Sequence, residues 1–509
     1  NAVLPSIVLI VGFTDAVHLM IDFRQSIARG LSPRQAATET VIHLGPACFL
    51  TSLTTAVGFA SLYTAETQSV QQFGLWCAAG AGLSFLAVIT VLPLLLLTPL
   101  GRWAAPRPTN TAPGILERNA EDLGDRIMAP FRLFARSMFL PRLAALAAVG
   151  LTAYLAYTAG QLRPDIRWNE TLPAHGEANR ALTAADAAMG GSLGLYAVIT
   201  YPEETSLGSP EVLTVADEVE KIFGEQEHVH GPMSFLTVLR ALPGGRSIAA
   251  RMKNFEGHPE HLRSRLVRPD LHKFVVGGRI PDRGAAGMEA TFLEIERRLA
   301  EVEAAHPGFQ AELTGSTVVA SRNMRGMIAD LGLSLALASV IIFVVMAIAL
   351  RSFTLGLVSV LPNALPLLLN ASMLVWLGEP LTVTSVMTFS ICLGIAVDDT
   401  IHFLMRYRRE KANGCDRREA VERSLRGVGK ALLMTTLILA GGFSVIGLSD
   451  MPTLQRFAGL GCLAMLGALV GDLLILPTLL LAVGRKKRAA AQPTAAALRT
   501  AEPAASGCR

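Results

Sequence analysis

Apolar residues in this chain run in long blocks rather than in stripes. A surface helix keeps one apolar face. Here apolar residues continue most of the way round for about 20 residues, the length that crosses a bilayer. Nine blocks have this character: Val3–Phe23, Pro46–Tyr63, Phe73–Leu97, Leu143–Leu162, Leu331–Leu350, Thr354–Trp376, Thr382–Phe403, Ala431–Leu448 and Phe457–Val483. Each predicts a membrane-spanning helix, with Pro362 and Pro366 kinking the sixth.

Between the fourth and fifth blocks the pattern changes. Gly194–Tyr201 alternates and predicts a strand. Val212, Val215, Val219 and Ile222 mark a helix face, followed by a weak strand pattern at His228–Phe235 and another strand at His272–Ile280. Phe292, Ile295, Leu299 and Val302 repeat the helical spacing before Phe309–Thr314 closes as a strand. Two β-α-β units in this order predict a split-βαβ, ferredoxin-like domain. The expected organisation is three helices in 1–101, a connector rich in Pro, Ala and charge over 102–141, and a fourth helix at 142–162. A soluble α+β domain then fills 163–328, five helices fill 329–484, and a basic, disordered tail closes the chain at 485–509.

Composition fits a membrane protein. Of 509 residues 51% are hydrophobic and 17% charged, where soluble chains carry about 25% charged residues. A net charge of +4 gives no nucleic-acid footprint. Six cysteines show neither zinc-type nor disulfide-framework spacing. Arginines and lysines set the orientation: Arg24, Arg29, Arg34, Arg102, Arg107, Arg351, the loop from Arg406 to Lys430, and Arg485–Arg488 all fall on one side if the spans alternate. The opposite short loops, Thr64–Gln72, Leu377–Leu381 and Ser449–Gln455, contain no Lys or Arg. The basic side is therefore expected to be cytoplasmic, with 163–328 outside.

The chain repeats itself at a constant offset of 384 residues. Asp15 matches Asp399, His18 matches His402, Gly30 matches Gly414, Thr51 matches Thr435, Gly58-Phe59 matches Gly442-Phe443, and Pro93 matches Pro477. Both copies keep the basic loop after the acidic helix, which predicts a parallel repeat about an axis along the membrane normal. The chain opens at Asn1, just inside the acidic helix of the first copy, and the offset places the counterpart of the fourth span about 240 residues upstream. A missing N-terminal half of the same protein is expected there, with three spans and a second exterior domain.

The candidate chemistry lies in Gly394-Ile395-Ala396-Val397-Asp398-Asp399-Thr400-Ile401-His402. Charges buried in a bilayer are costly and normally face a bundle interior or a water-filled path. The first copy retains Asp15 and His18, but Ile10 replaces Gly394 and Thr14 replaces Asp398. Asp15, Asp398 and Asp399 are expected to meet at the bundle centre. Carboxylates clustered in low dielectric cannot all stay ionised, so the cluster would take up and release protons, with His18 and His402 as partners in the relay. Gly394 would let a neighbouring backbone approach. Thr51, Thr54, Thr435 and Thr436 are candidate hydroxyl donors, and Asp472 reads as packing rather than relay.

Other patterns fail their context. Gly190-Gly191-Ser192-Leu193-Gly194 fits a nucleophile elbow but precedes a strand rather than a helix. Gly427-Val428-Gly429-Lys430 lacks the rest of a phosphate loop. His258-Pro259-Glu260-His261 offers too few ligands for a metal site. No catalytic residue, cofactor or metal is expected.

The runs Gly394–Arg408, Leu361–Pro366 (LPNALP) and Thr51–Phe59 (TSLTTAVGF) resemble the resistance–nodulation–division superfamily, and within it the MMPL-type, sterol-sensing-domain-like branch. The resemblance implies an α-helical polytopic membrane bundle with an exterior ferredoxin-like porter domain. It implies a proton-driven inner-membrane exporter of lipids or other hydrophobic compounds, with a proton relay at Asp398, Asp399 and Asp15. A homo-oligomer is compatible with it, and nucleic acid is not a partner. Two other readings stay open: a non-transporting lipid sensor or scaffold, and an aid to protein export of the SecDF kind.

Overall fold

A computed structural model describes residues 4–64, 68–99, 129–131, 141–165, 167–173, 175–243 and 247–483. Most of the expected connector and all of the expected basic tail lie outside the described residues.

Three helices open the chain: α1 (Leu4–Ala28), α2 (Pro33–Ala60) and α3 (Gln68–Leu96). α4 (Pro141–Ala159) leads into an α+β domain. Beyond that domain come α11 (Ser316–Ala349), α12 (Phe353–Leu377), α13 (Val383–Ala412), α14 (Arg417–Ile446) and α15 (Pro452–Val470). A π-turn at Gly471–Ile475 joins α15 to α16 (Leu476–Ala482). Among the described residues, eight helices are long and apolar enough to cross a membrane. α1, outside that count, packs against α2, α3 and α14 within the bundle.

The helices outrun the apolar blocks because caps, not hydropathy, set their ends. α2 starts at Pro33, well before Pro46. The Ser32 hydroxyl accepts from the Gln35 amide at 3.4 Å, and Gln35 Oε1 accepts from the Ser32 amide at 3.1 Å. α14 starts at Arg417 rather than Ala431, with Asp416 accepting from the Glu419 amide at 2.7 Å. A capping residue of this kind contributes roughly 1 kcal/mol. Ser32 and Asp416 are 384 residues apart, so the repeat extends to the caps. Gly30 and Gly414 share it too, turning the chain at φ 91° and 88°. α12 runs unbroken through Pro362 and Pro366.

The α+β domain contains α5 (Glu177–Met189), β1 (Leu193–Thr200), α6 (Pro210–Gly224), β2 (His230–Met233), α7 (Phe235–Ala241), α8 (Ile248–Glu256), α9 (Glu260–Arg263), β3 (Val267–Arg268), β4 (Lys273–Ile280), α10 (Ala285–Ala305) and β5 (Gln310–Thr314). The antiparallel sheet runs β2-β4-β1-β5, with β3 paired to β4. In register, β1 and β4 pair from Leu193↔Ile280 to Thr200↔Lys273. This is the split-βαβ order that the sequence predicts. Leu195, Ala197, Ile199, Phe274 and Val276 pack against Val215, Val219, Phe223, Ile295 and Leu299 of α6 and α10. The helices α7–α9 and strand β3 have no sequence forecast. They are short and held by tertiary contacts: the buried Glu220 carboxylate of α6 accepts from the Ser234 amide at 3.0 Å, fixing the start of α7.

The expected boundary at 328 falls inside α11, which passes from the domain into the bundle as one helix. A second junction is not covalent. The Leu381 amide donates to Arg163 O at 2.9 Å and the Asp165 amide donates to Leu381 O at 3.2 Å. Arg456 donates to Glu170 at 2.8 Å and to Glu379 at 2.5 Å.

Candidate functional site

α13 is the central helix of the bundle, buried almost without interruption from Ser385 to Leu404. Glycines let α2 reach it. A Cβ on Gly58 would lie 3.1 Å from the Gly394 Cα, and one on Gly394 would lie 3.3 Å from the Thr55 Cα. The two backbones therefore touch. At the matching crossing between α1 and α14, Ile10 stands where α13 has glycine. Its side chain fills the space before Gly442, where a Cβ would be 2.8 Å from Ile10 Cδ1.

This contact sets the polar geometry. Thr55 Oγ1 lies 3.0 Å from Gly394 O and 3.2 Å from Asp398 Oδ1, in position to donate to either. One turn earlier on the same face of α2, Thr51 Oγ1 lies 3.0 Å from Asp15 Oδ1. Ser52 donates to Asp15 Oδ2 at 3.1 Å. Across the repeat, Thr435 Oγ1 lies 3.2 Å from Asp399 Oδ1. The Thr51–Asp15 and Thr435–Asp399 contacts are equivalent at the 384-residue offset. Each threonine also reaches a carbonyl one turn back, Cys48 O or Leu432 O, at 2.9 Å.

The histidines meet on the pseudo-axis. His18 and His402 stack with ring centroids 3.8 Å apart and planes 13° from parallel. His18 Nε2 is 3.7 Å from Asp399 Oδ1. Asp472, in the π-turn, accepts from Thr400 Oγ1 at 2.5 Å, and Thr400 Oγ1 also lies 3.0 Å from Asn363 Oδ1. π-turns inside helices frequently mark functional positions. All four carboxylates are buried. Among the described residues, the one ion-pair contact they make is that between His18 and Asp399. Apart from that contact, the partners placed on these carboxylates are threonine and serine hydroxyls rather than cations.

The structure thus brings Asp15, Asp398, Asp399, His18, His402 and Gly394 into one region where α1, α2, α13 and α14 meet. Thr54 is not part of it; its hydroxyl faces Leu50 O and Thr51 O. Ser52, Thr55, Thr400 and Asn363 lie within runs quoted from the sequence, but the sequence reading assigns none of them a role. Ser52 had a signal, since it matches Thr436 across the repeat. Asp15, Cys48 and His402 each bring a ligand atom within 4.8 Å of the others. That is one donor short of a structural zinc site, and both Asp15 oxygens are already engaged by hydroxyls. His258, in the discarded metal pattern, turns its Nδ1 to Asn254 O at 2.8 Å.

Comparison with known proteins adds a family. The profile of the MMPL family matches residues 3–139 and 236–501. A protein of Methanocaldococcus jannaschii named as a candidate membrane protein is 30% identical over 97 residues, 19% of this chain and 25% of its own. A protein of Streptomyces coelicolor, named in the same way, is 26% identical over 248 residues, 47% of this chain and 32% of its own. The chain thus spans about a quarter to a third of the length of these curated relatives.

Proposed function

The chain belongs to the MMPL family, and from that premise we propose that it is a proton-driven secondary transporter that exports lipids or other hydrophobic compounds from the inner membrane. The observation that carries the reading is the pair of equivalent contacts, Thr51–Asp15 and Thr435–Asp399, joined across the pseudo-axis by the stacked histidines. A static polar lock needs no such symmetry. A relay shared between two halves that move against each other does. In this reading protons pass among Asp398, Asp399 and Asp15 through His18 and His402, and the changing charge of the cluster shifts α1 against α13. The basic face is cytoplasmic and the α+β domain is a periplasmic porter domain. The reading assigns no enzymatic step, cofactor or metal.

The test is proton flux and substrate export by the full-length protein in liposomes. Asp398→Asn and Asp399→Asn are expected to abolish both while abundance and insertion stay normal. Near-normal export by the double variant would remove the relay and leave a scaffold.

A further inference from the structure

A cavity of about 170 Å³ opens between α1, α2, α13 and α14 on the basic side of the histidine pair. His18, Asp22 and Gln25 of α1 line it, at one-turn spacing along one face. His18 and His402 form its buried floor, and Gln25 and Arg409 are exposed at its mouth. The charged and titratable groups facing it are His18 and Asp22 from α1, His43 from α2, and His402, Arg406 and Arg409 from α13. α14 contributes only Gly427, Val428 and Ala431.

Two polar atoms of these lining residues, His402 Nε2 and Asp22 Oδ2, are buried and have no hydrogen-bond partner, whereas His18 Nε2 faces Asp399 at 3.7 Å. Buried polar groups are almost always satisfied, by protein or by ordered water. One water needs only about 10–15 Å³ of such space, so the cavity has room for several. The rim is organised. Arg409 reaches His43 Nε2 at 3.4 Å, Glu39 lies 3.6 Å from His43 Nδ1, and Arg406 is held by Glu410 at 2.8 Å. A Cβ on Gly427 would lie 3.3 Å from the Arg406 guanidinium carbon, so glycine leaves that side chain its place. At the floor, the 3.8 Å stacking leaves no room for water between the rings, while Asp399 lies beyond them.

We infer that this cavity is a water-filled half-channel that carries protons between the carboxylate cluster and the basic face, with the His18–His402 stack as its inner barrier and Asp22 as the next proton-carrying side chain. The inference deepens the proposed transport function and rests on it for the proton's purpose, but hydration of the cavity does not. Imidazole takes a proton on one ring nitrogen and releases it from the other. The stack therefore passes protons where it stops water and ions. Asp22, one turn outward from His18, receives or supplies them through the water, and the two arginines at the rim disfavour other cations.

The experiment uses the full-length protein in oriented membrane vesicles, with its native cysteines replaced. Ile21→Cys, midway along the cavity, and Gln25→Cys, at its mouth, are treated with a membrane-impermeant charged thiosulfonate from each side. Both are expected to react only from the basic face, and the adduct at Ile21→Cys should cause loss of proton flux. Ile10→Cys, packed against α14, should stay unreactive. A mouth that reacts with an interior that does not would mean a dry cavity and would overturn the inference, as would reaction from the opposite face.

Asp22→Asn in the otherwise native sequence needs no cysteine replacement. It is expected to lose most proton flux, with Asp22→Glu restoring it. Flux unchanged by Asp22→Asn would overturn the role of Asp22. If Asp398→Asn and Asp399→Asn leave export intact while the labelling pattern holds, the transport reading fails and the hydrated cavity stands.

Discussion

Asp398 and Asp399 are neighbours in sequence but not in bonding. Successive residues on a helix point about 100° apart. Asp398 therefore faces α2 and Thr55, while Asp399 faces α14, Thr435 and His18. Their roles should separate. Thr435→Val removes the hydroxyl partner of Asp399 and leaves a buried oxygen short of a partner, at about 1–3 kcal/mol. It is expected to lower the melting temperature in detergent and to slow proton flux, whereas Thr54→Val, whose hydroxyl faces only backbone carbonyls, should leave flux unchanged. Equal effects from the two variants would mean that hydroxyl contacts to the carboxylates do not matter. Asp15→Asn should weaken transport less than Asp399→Asn, because Asp15 keeps Thr51 and Ser52 as partners and the first copy holds one acid where the second holds two. Transport rates of the two variants side by side decide this.

Among the elements, the crossing of α2 and α13 is the tight one. Gly58→Leu would drive a side chain into the Gly394 backbone, and overpacking typically costs about 1–3 kcal/mol. Gly441→Leu is a control on the matching helix, where a Cβ meets nothing within 4 Å. The expected result is a lowered melting temperature for the first and little change for the second. The non-covalent junction at Leu381 and Arg456 ties the α+β domain to the residue just before the Thr382 cap of α13. Arg456→Gln removes both ion-pair contacts and should reduce export while sparing proton flux, since Arg456 lies outside the relay. Loss of both activities in equal measure would argue against a coupling role.

At the scale of the whole molecule, the α+β domain builds a core separate from the buried clusters of the bundle. It buries its own set, Leu195 through Val318, the last of these supplied by the first turn of α11. Expressed alone over 167–322, which keeps Val318, it should unfold as one cooperative transition in circular dichroism; a broad, featureless melt would show that it depends on the bundle. It contains no cysteine, so reducing agent should leave the transition unmoved.

The sequence by itself determined the local and the periodic. Apolar blocks, strand alternation and the 384-residue repeat follow from which faces must leave water, and that is written in each segment. The repeat also carried over Gly30 with Gly414 and His18 with His402. Tertiary structure alone decided which hydroxyl serves which acid, that the two histidines stack, that α11 runs unbroken into the domain, and that a cavity lies beneath the stack. These depend on distances between helices. Such distances are set where side chains are absent, at Gly58, Gly394 and Gly427, and a glycine read in one helix does not say which partner will fill the space it leaves.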